Sequence, residues 1–261
     1  MYKRSEPNIA LPQVTLVAAT SVNLAATVAA LRRSLDEVAF GGAMLLSHEQ
    51  PHDLPEAVDW HRIEPLQSSR AYSEFILRRL PAYVSTSHCL LVQWDGHVLN
   101  GARWRDEFLG YDYVGASWPQ FQDGHDVGNG GFSLRSRALL EACQHPDFVV
   151  SHPEDLAIGR TNRTWLEELG LRFATVDVAD RFSAERRGDP LQCFGYHGVW
   201  HMPRALGLDD FWRIYAGLDE RGTVRHDFGS ILWQCAKGRG APGRAMRLLH
   251  DRLVDATGLR S

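Results

Sequence analysis

The chain has 261 residues, of which 44% are hydrophobic and 23% charged, and these are the proportions of an ordinary folded protein. A chain of this length buries enough apolar surface to hold a core without disulfides or a structural metal, so disordered, collagen-like and small disulfide-rich classes are excluded. The formal net charge is −4 and neither half carries a Lys/Arg block, so nucleic acid is excluded as a non-specific partner and small molecules are favoured.

The predicted location is cytoplasmic. The four cysteines form no CxxC pair, which is typical of reduced thiols in a cytosolic protein. The start MYKRSEPNIALPQ lacks the apolar core of a signal peptide, and no window reaches the roughly 18 apolar residues of a membrane span. The sequence thus predicts no transmembrane segment and leaves a peripheral membrane contact open.

The first half of the chain predicts alternating strands and helices. Its elements are, in order, a buried strand at 14–19, a helix capped by Asn23 and stopped by Gly41–Gly42, a strand at 43–46, a helix from Ser68–Ser69, and a buried strand at 88–93. This alternation favours an α/β fold with a mostly parallel central sheet.

The middle of the chain has shorter predicted elements and one long loop. These are a helix at 104–109, a strand at 111–116, a Gly/Asp/Asn-rich loop at 119–131, helices at 137–143 and 153–169, and a strand at 172–176. We expect a flexible N-terminus at 1–10, an α/β domain at 11–205 and a helical C-terminal appendage at 206–261.

The segment QWDGHV, residues 93–98, directly follows a buried strand, which is where open α/β sheets place ligand chemistry. Asp95 could hold a divalent cation there, and Gln93 and His97 would share its face if the strand continued. A simple turn at Asp95–Gly96 beside a core Trp94 is the alternative.

The segment VGNGGFSLRS, residues 127–136, has three glycines within four residues, which let a backbone approach a ligand closely. The phosphate-binding GKS/T ending and the GxGxxG fingerprint are both absent, and an ordinary glycine-rich turn is the alternative.

The segment HPEDLAIGR, residues 152–160, places Glu154 and Asp155 in the first turn of a predicted helix. The helix dipole alone favours acids at this position. A carboxylate fixed there beside a pocket would also make a well-oriented general base.

The segment CFGYHGVWH, residues 193–201, carries His197 and His201 four residues apart. Its two glycines and the missing Glu of HExxH argue against a zincin site. One His that ligates a metal or contacts a phosphate is favoured over a pair, with a structural His as the alternative.

Taken in order, these pieces resemble the GT-A nucleotide-sugar glycosyltransferases and, more closely, the bacterial DUF5672 family. Over about 11–200 the resemblance rests on VTLVAATSVN, YSEFILRRL, QWDGHVLN, YDYVGASWP, VGNGGFSLRS, HPEDLAIGR and FGYHG. The resemblance implies a Rossmann-like single domain with a mixed, mostly parallel sheet. It also implies glycosyltransferase activity, and the adjacent Glu154 and Asp155 suggest inversion at the anomeric carbon.

The resemblance also implies a set of donor-binding residues. The nucleotide sugar, with a UDP-sugar favoured, would be met by Thr20, Ser21, Asn23, Arg70, Tyr72, Gln93, Trp94, Asp95, Asn129, Gly130 and Gly131. Asp155 would be the general base and Glu154 would bind the acceptor, a glycan or a small molecule.

The same resemblance implies a divalent metal, Mn²⁺ or Mg²⁺, at a DxD-like element. Here that element is QWD, so Gln93 replaces the first acid and only Asp95 remains, which puts metal dependence in question. His197, matching a C-terminal His that completes the metal site in many relatives, and His97 are the other candidate ligands.

Two other classes stay open. A non-catalytic sugar- or nucleotide-binding module fits an incomplete metal site. A metallophosphoesterase could use Asp95 and His97, although the chain has no GNH-type element to supply further ligands.

Overall fold

The computed structural model describes residues 9–238 and 240–257, in two compact units that comprise residues up to 197 and from 198 onward. The boundary predicted at 205–206 therefore lies inside the second unit. Of the N-terminal segment predicted to be flexible, residues 1–8 lie outside the described residues, and Ile9 and Ala10 begin the first strand.

The first unit alternates strands and helices along most of its length. Its strands are β1 (Ile9–Thr20), β2 (Val38–Ser47), β3 (Asp59–Arg62), β4 (His88–Val92), β5 (Gly96–Val98), β6 (Tyr113–Val114), β7 (Phe132–Ser136), β8 (Ser183–Ala184) and β9 (Gly195–His197). Its α-helices are α1 (Leu24–Glu37), α2 (Ser69–Arg78), α3 (Arg137–Ala142), α4 (Glu154–Leu156), α5 (Arg163–Glu168) and α6 (Val176–Phe182).

The main sheet has the strand order β3-β2-β1-β4-β7-β6. The first four strands in this order are parallel, whereas β7 is antiparallel to both β4 and β6. This confirms the predicted mixed, mostly parallel α/β class. A small second sheet, in the order β5-β9-β8, lies in the same unit.

The apolar runs explain the central strands. Residues 14–20 of β1 and all of β4 are buried, as expected for parallel strands covered on both faces. The Ser68 hydroxyl caps α2 by accepting from the Ala71 amide, as its sequence predicts. Asn23 precedes α1 in a left-handed conformation, and its side chain makes no cap hydrogen bond, so that predicted cap is wrong.

Other element predictions also differ from the structure. The helix predicted at 104–109 is a 3₁₀-helix at Asp106–Gly110, and the strand predicted at 111–116 is only Tyr113–Val114. Gly41 and Gly42 lie inside β2, where a Cβ at position 41 would meet the Pro12 carbonyl oxygen, so close strand pairing and not helix termination requires glycine. The exposed strand β3 was not predicted. Residues 172–176 form a single bridge at Phe173 and then begin α6, because their pairing with β6 is too short to make a strand.

The helix predicted at 153–169 contains one irregular turn. It comprises α4, a π-turn at Ala157–Thr161 and α5, and the Asn162 amide donates to the Ala157 carbonyl five residues earlier. Such single π-turns are frequent near functional sites.

The second unit is helical, as predicted for the C-terminal segment. Its helices are α7 (Met202–Leu206), α8 (Leu208–Ala216), α9 (Phe228–Cys235) and α10 (Ala241–Thr257). Residues 198–261 contain 10 Lys/Arg and 7 Asp/Glu, against 18 and 25 in residues 1–197, so the two segments have opposite net charge. Among the described residues, no helix combines the length and the apolar character that crossing a membrane requires.

Candidate functional site

Asp95 and His197 are brought together by the pairing of β5 with β9. The chain turns at residues 94–95, directly after β4, and the antiparallel register then places Gly96 opposite His197. The Asp95 carboxylate oxygen Oδ1 lies 3.4 Å from His197 Nε2. Two candidates about a hundred residues apart in sequence thus share one site at the carboxyl end of the parallel strands.

A second carboxylate, Glu185, contacts the other side of the same imidazole. Its Oε1 lies 3.2 Å from His197 Nδ1, and the side chains of Glu185 and Asp95 are 6% and 5% exposed. Burial lowers the pKa of His197, but the charges of Asp95 and then Glu185 outweigh it, so its pKa lies well above the ordinary value. The imidazole is therefore cationic at neutral pH when nothing else binds the two carboxylates.

Gln93 lies on the same side of His197 as Asp95. Its Nε2 donates to the Tyr72 hydroxyl at 3.0 Å, and its Oε1 lies 3.3 Å from His197 Nε2. Because the amide nitrogen is bonded to Tyr72, the amide oxygen faces Asp95 and His197. Burial raises the pKa of Tyr72, which keeps this phenol neutral.

The glycine loop, residues 128–131, runs between His197 and the start of α4. A Cβ at Gly131 would come within 2.1 Å of His197 Nε2, and one at Gly130 within 3.1 Å of the Asp155 Cβ. The Asn129 side-chain oxygen accepts from the Gly131 amide. The loop therefore brings its bare backbone against both candidate groups.

Glu154 is engaged in hydrogen bonds that hold the loop and α4 together. Its Oε1 accepts from Arg135 Nη2 at 3.3 Å, and its Oε2 accepts from the Ser73 hydroxyl at 3.2 Å. Ser73 also bonds His152 Nδ1 at 2.8 Å. These contacts give Glu154 a structural role in the site and leave Asp155 as the partly exposed acid of the pair.

Asp155 is the carboxylate best suited to take a proton. Burial, followed by the negative charge of Glu154, raises its pKa to about 6. Glu185 adds to this effect, whereas the hydrogen bond from the Leu156 amide and the charge of Arg135 oppose it. A base that titrates near neutral pH combines a usable ionised fraction with basicity.

Two predicted residues face away from this group. His97 Nδ1 lies 2.6 Å from the Val98 carbonyl oxygen and its Nε2 lies 3.2 Å from the Tyr196 hydroxyl, so neither nitrogen is available to a metal beside Asp95. Burial lowers the pKa of His97 to about 4. The expected shared face fails because the chain turns after Gln93, and this also removes the Asp-x-His pair of a phosphoesterase. Trp94 is buried and offers no stacking surface.

The predicted nucleoside-binding residues lie at the ends of β1 and α2. Thr20 is the last residue of β1 and bonds the Val22 carbonyl, while the Ser21 hydroxyl accepts from the Leu66 amide. The Asn23 carbonyl oxygen accepts from the Thr27 side chain, and Arg70 is exposed on the first turn of α2. Within the described residues, no hydrogen bond joins these side chains to Asp95 or Asp155.

Sequence reasoning missed Arg135, Glu185 and Ser73. Arg135 carried a signal, because a charged residue in the buried strand FSLRS requires an internal partner. Glu185 lies in the polar stretch SAERRGD, and Ser73 lies within a helix, where neither residue type is unusual. Only the fold identifies these two.

A divalent cation beside Asp95 would meet one anionic ligand, Asp95, and two neutral ones, the Gln93 amide oxygen and the unprotonated His197 imidazole. Asp95 Oδ1 is buried without a hydrogen-bond partner among the described residues, and Gln93 Oε1 and His197 Nε2 lie beside it. Over the same residues, no three His, Cys, Asp or Glu side chains form a metal-binding group. A metal here would therefore need the Gln93 amide oxygen or the ligand's own oxygens.

The family described as "Protein of unknown function (DUF5672)" has a profile that matches residues 58–197, more than half of the chain. No curated protein matches the chain.

Several solved glycosyltransferase structures are similar to the chain at low identity. The galactosyltransferase LgtC, in complex with donor and acceptor sugar analogues, is 16% identical with a TM-score of 0.43, covering 81% of this chain and 99% of that one. An active-site mutant of LgtC is 17% identical with a TM-score of 0.45, covering 79% and 96%. The mannosyltransferase PcManGT from Pyrobaculum calidifontis, in complex with GDP-Man and Mn²⁺, is 12% identical with a TM-score of 0.44, covering 95% and 81%.

Proposed function

The chain belongs to the DUF5672 family, and we propose that it is a GT-A-type glycosyltransferase that moves a sugar from a nucleotide-diphosphate donor to a hydroxyl acceptor. The acceptor is a glycan or a small molecule. We further propose inversion at the anomeric carbon, with Asp155 as the general base.

One observation carries this proposal. The glycine loop contacts His197 through Gly131 and the start of α4 through Gly130, and this arrangement supports a diphosphate site and a base on either side of one stretch of bare backbone. A donor sugar needs such a surface, because its ring must lie between its own phosphates and the attacking hydroxyl.

In the proposed reaction, an acceptor hydroxyl oxygen forms a bond to the anomeric carbon as its proton passes to the Asp155 carboxylate. The bond between that carbon and the phosphate oxygen breaks, and the nucleoside diphosphate leaves with the bonding electron pair. Positioned proton transfer of this kind contributes about 10²–10⁴-fold to a rate.

We assign the donor nucleotide to the ends of β1 and α2. Thr20, Ser21 and Asn23 would meet the nucleoside, Arg70 or Tyr72 would reach it from α2, and a UDP-sugar is the favoured donor. Asn129 holds the glycine loop through its contact with the Gly131 amide, which supports a role for this backbone under the sugar.

Asp95, His197 and Gln93 would hold a divalent cation, Mn²⁺ or Mg²⁺, and His97 is left out of this set. Such a cation supplies positive charge that stabilises the departing diphosphate. If no cation is bound, the cationic His197, which lies 3.4 Å from Asp95, could contact a phosphate of the donor instead. The four free, buried cysteines support a cytoplasmic location.

The test compares Asp155→Asn, Asp95→Ala and the exposed control Glu141→Gln with wild type. Nucleotide affinity is measured by calorimetry with and without Mn²⁺, and nucleoside diphosphate release is measured from a panel of nucleotide sugars with acceptor. We expect Asp155→Asn to bind nucleotide normally and to lose about 10²–10⁴-fold in transfer. Asp95→Ala should lose nucleotide affinity, and Glu141→Gln should behave as wild type.

Normal affinity in Asp95→Ala would move the donor site elsewhere. An Asp155→Asn variant that retains more than about a tenth of the wild-type rate would remove Asp155 as the base. Nucleotide-sugar binding without turnover by the wild type would identify a binding module instead.

A further inference from the structure

The strongest unassigned feature of the first unit is the buried side chain of Arg135. It lies on β7, is fully buried, and is the charged residue in a strand whose five residues are all inaccessible. Its Nη2 contacts both Glu154 Oε1, at 3.3 Å, and the Gly130 carbonyl oxygen, at 3.4 Å. One guanidinium group thus joins the glycine loop to the residue that precedes Asp155.

The Nε of Arg135 is fixed by the same strand, whereas its Nη1 is buried without a hydrogen-bond partner among the described residues. Arg135 Nε donates to the Ser133 hydroxyl at 3.0 Å, and that hydroxyl donates to the Gly130 carbonyl oxygen at 3.0 Å. The guanidinium carbon lies 5.5 Å from the centre of the Tyr113 ring. The position of the charge is therefore determined by the fold and not by a ligand.

We infer that Arg135 is a positioning residue, which offsets the negative charge of Glu154 and fixes the glycine loop against the first turn of α4, where Asp155 lies. This inference rests on the proposed role of Asp155. Arg135 itself touches no reacting atom.

The charges around Asp155 come from several elements. Glu154 lies on α4 and disfavours the ionised form of Asp155, as does the more distant Glu185 beyond β8. Arg135 on β7 and the Leu156 amide favour the ionised form. Tyr72 and Tyr113 also face this group, but burial raises the pKa of each and keeps both phenols neutral.

Because Glu154 and Arg135 act in opposite directions, two substitutions should move Asp155 in opposite directions. Glu154→Gln keeps the shape of the side chain and removes its charge, so the pKa of Asp155 should fall by about one unit. Arg135→Met removes the offsetting cation, so the pKa should rise by about one unit. The double variant should lie between the two single variants.

The measurement is the titration of the Asp155 carboxyl carbon by NMR on ¹³C-labelled protein without donor. The signal is assigned as the one absent from Asp155→Asn. Glu141→Gln and Arg137→Met are matched controls. Each removes one charge, as the test variants do, but from an exposed ion pair on α3. Neither control should move the Asp155 signal.

Rates give an independent readout. The acid limb of the pH profile of kcat should follow the NMR shift, to lower pH in Glu154→Gln and to higher pH in Arg135→Met. Arg135→Lys keeps the charge but loses the guanidinium nitrogen Nη2, which contacts both Gly130 and Glu154. It should therefore leave the Asp155 pKa nearly unchanged but loosen the glycine loop and raise the KM for the donor.

Arg135→Met removes a fully buried cation and can fail to fold, in which case Glu154→Gln and Arg135→Lys decide the question. A Glu154→Gln variant whose Asp155 signal titrates as in wild type overturns the inference. This outcome differs from failure of the proposed function, in which Asp155→Asn retains transfer while the NMR shifts can still occur as expected.

Discussion

At the scale of single residues, Asp155 has surroundings that oppose its ionised form. Its pKa is raised to about 6, first by burial and then by the charge of Glu154. In the unfolded chain an ordinary Asp titrates near 3.9. Between these two values the folded state binds more protons than the unfolded state, so the free energy of unfolding falls as pH rises through this window.

Asp155→Asn should therefore stabilise the protein, although a helix-dipole role would predict the reverse. We expect the free energy of unfolding to rise by about 1–2 kcal/mol above pH 7, and the gain to vanish below about pH 4. Denaturant melts at pH 4, 5, 6 and 7.5 measure it. A variant less stable than wild type at pH 7.5 would assign Asp155 to the helix dipole.

Glu185 belongs to the same scale, because its carboxylate faces His197 Nδ1 at 3.2 Å. A carboxylate behind a ligating imidazole orients the ring, and its loss costs about 10–100-fold in metal affinity. We expect Glu185→Gln to lose Mn²⁺ affinity within this range, measured by calorimetry or electron paramagnetic resonance.

The control for Glu185→Gln is Asp177→Asn, which removes an exposed acid of α6. This control should bind Mn²⁺ as wild type does. Equal affinity in Glu185→Gln and wild type would show that Glu185 does not act through His197.

At residue scale, sequence reasoning could place a side chain wherever it follows a predictable element. Asp95 follows a buried strand and Asp155 lies in the first turn of a helix, and the roles proposed for them stay predictions. His97 was wrong because a turn after Gln93 reverses the alternation of faces. Glu185 was missed because only the pairing of β9 with β8 and β5 brings it to His197.

At the scale of elements, the glycine loop depends on the absence of side chains. At Gly131 a methyl group would occupy the position of the His197 ring. Gly131→Ala should cost about 1–3 kcal/mol of stability, the range for overpacking a tight site. It should also weaken Mn²⁺ and nucleotide binding, because His197 must shift.

The matched control for this loop is Gly110→Ala, since a Cβ at Gly110 meets nothing within 4 Å. Thermal melts and nucleotide titrations of both variants test the expectation. Wild-type affinity in Gly131→Ala would mean that His197 can move without loss, which would contradict its place in the proposed metal site.

The element predictions succeeded where local pattern and tertiary environment agree. Strands β1 and β4 contain buried, mostly apolar runs, and α2 begins at a serine cap. The local sequence was therefore enough to predict these three elements. Gly41–Gly42 was misread because the close approach of Pro12 from another strand requires glycine at position 41. In a sequence alone, a glycine that ends a helix and a glycine that allows two strands to lie close together look the same.

At the scale of the whole molecule, the second unit has its own buried ionic cluster. Asp251 on α10 accepts from the Tyr215 hydroxyl at 2.8 Å and pairs with Arg247 at 3.0 Å, and the nearly buried Arg221 lies 3.9 Å away. Asp251→Ala leaves Arg221 without this partner, and removing one member of a buried pair costs about 3–5 kcal/mol.

Because Asp95, Glu185 and His197 all belong to the first unit, Asp251→Ala should lower the melting temperature of the second unit and leave Mn²⁺ affinity unchanged. Calorimetric melting and metal titration on one preparation measure both. Asp209→Asn, an exposed acid on α8, is the control. A loss of Mn²⁺ affinity in Asp251→Ala would show that the site depends on residues beyond His197.

The two segments carry opposite net charges, so each would migrate differently from the whole chain, whose pI is about 6.3. Residues 1–197 carry an excess of acids and residues 198–261 an excess of bases. Cleavage of the backbone between His197 and Gly198, followed by denaturation, would give two fragments that migrate toward opposite electrodes at neutral pH. On a cation exchanger the smaller fragment alone would be retained, since net charge decides such adsorption.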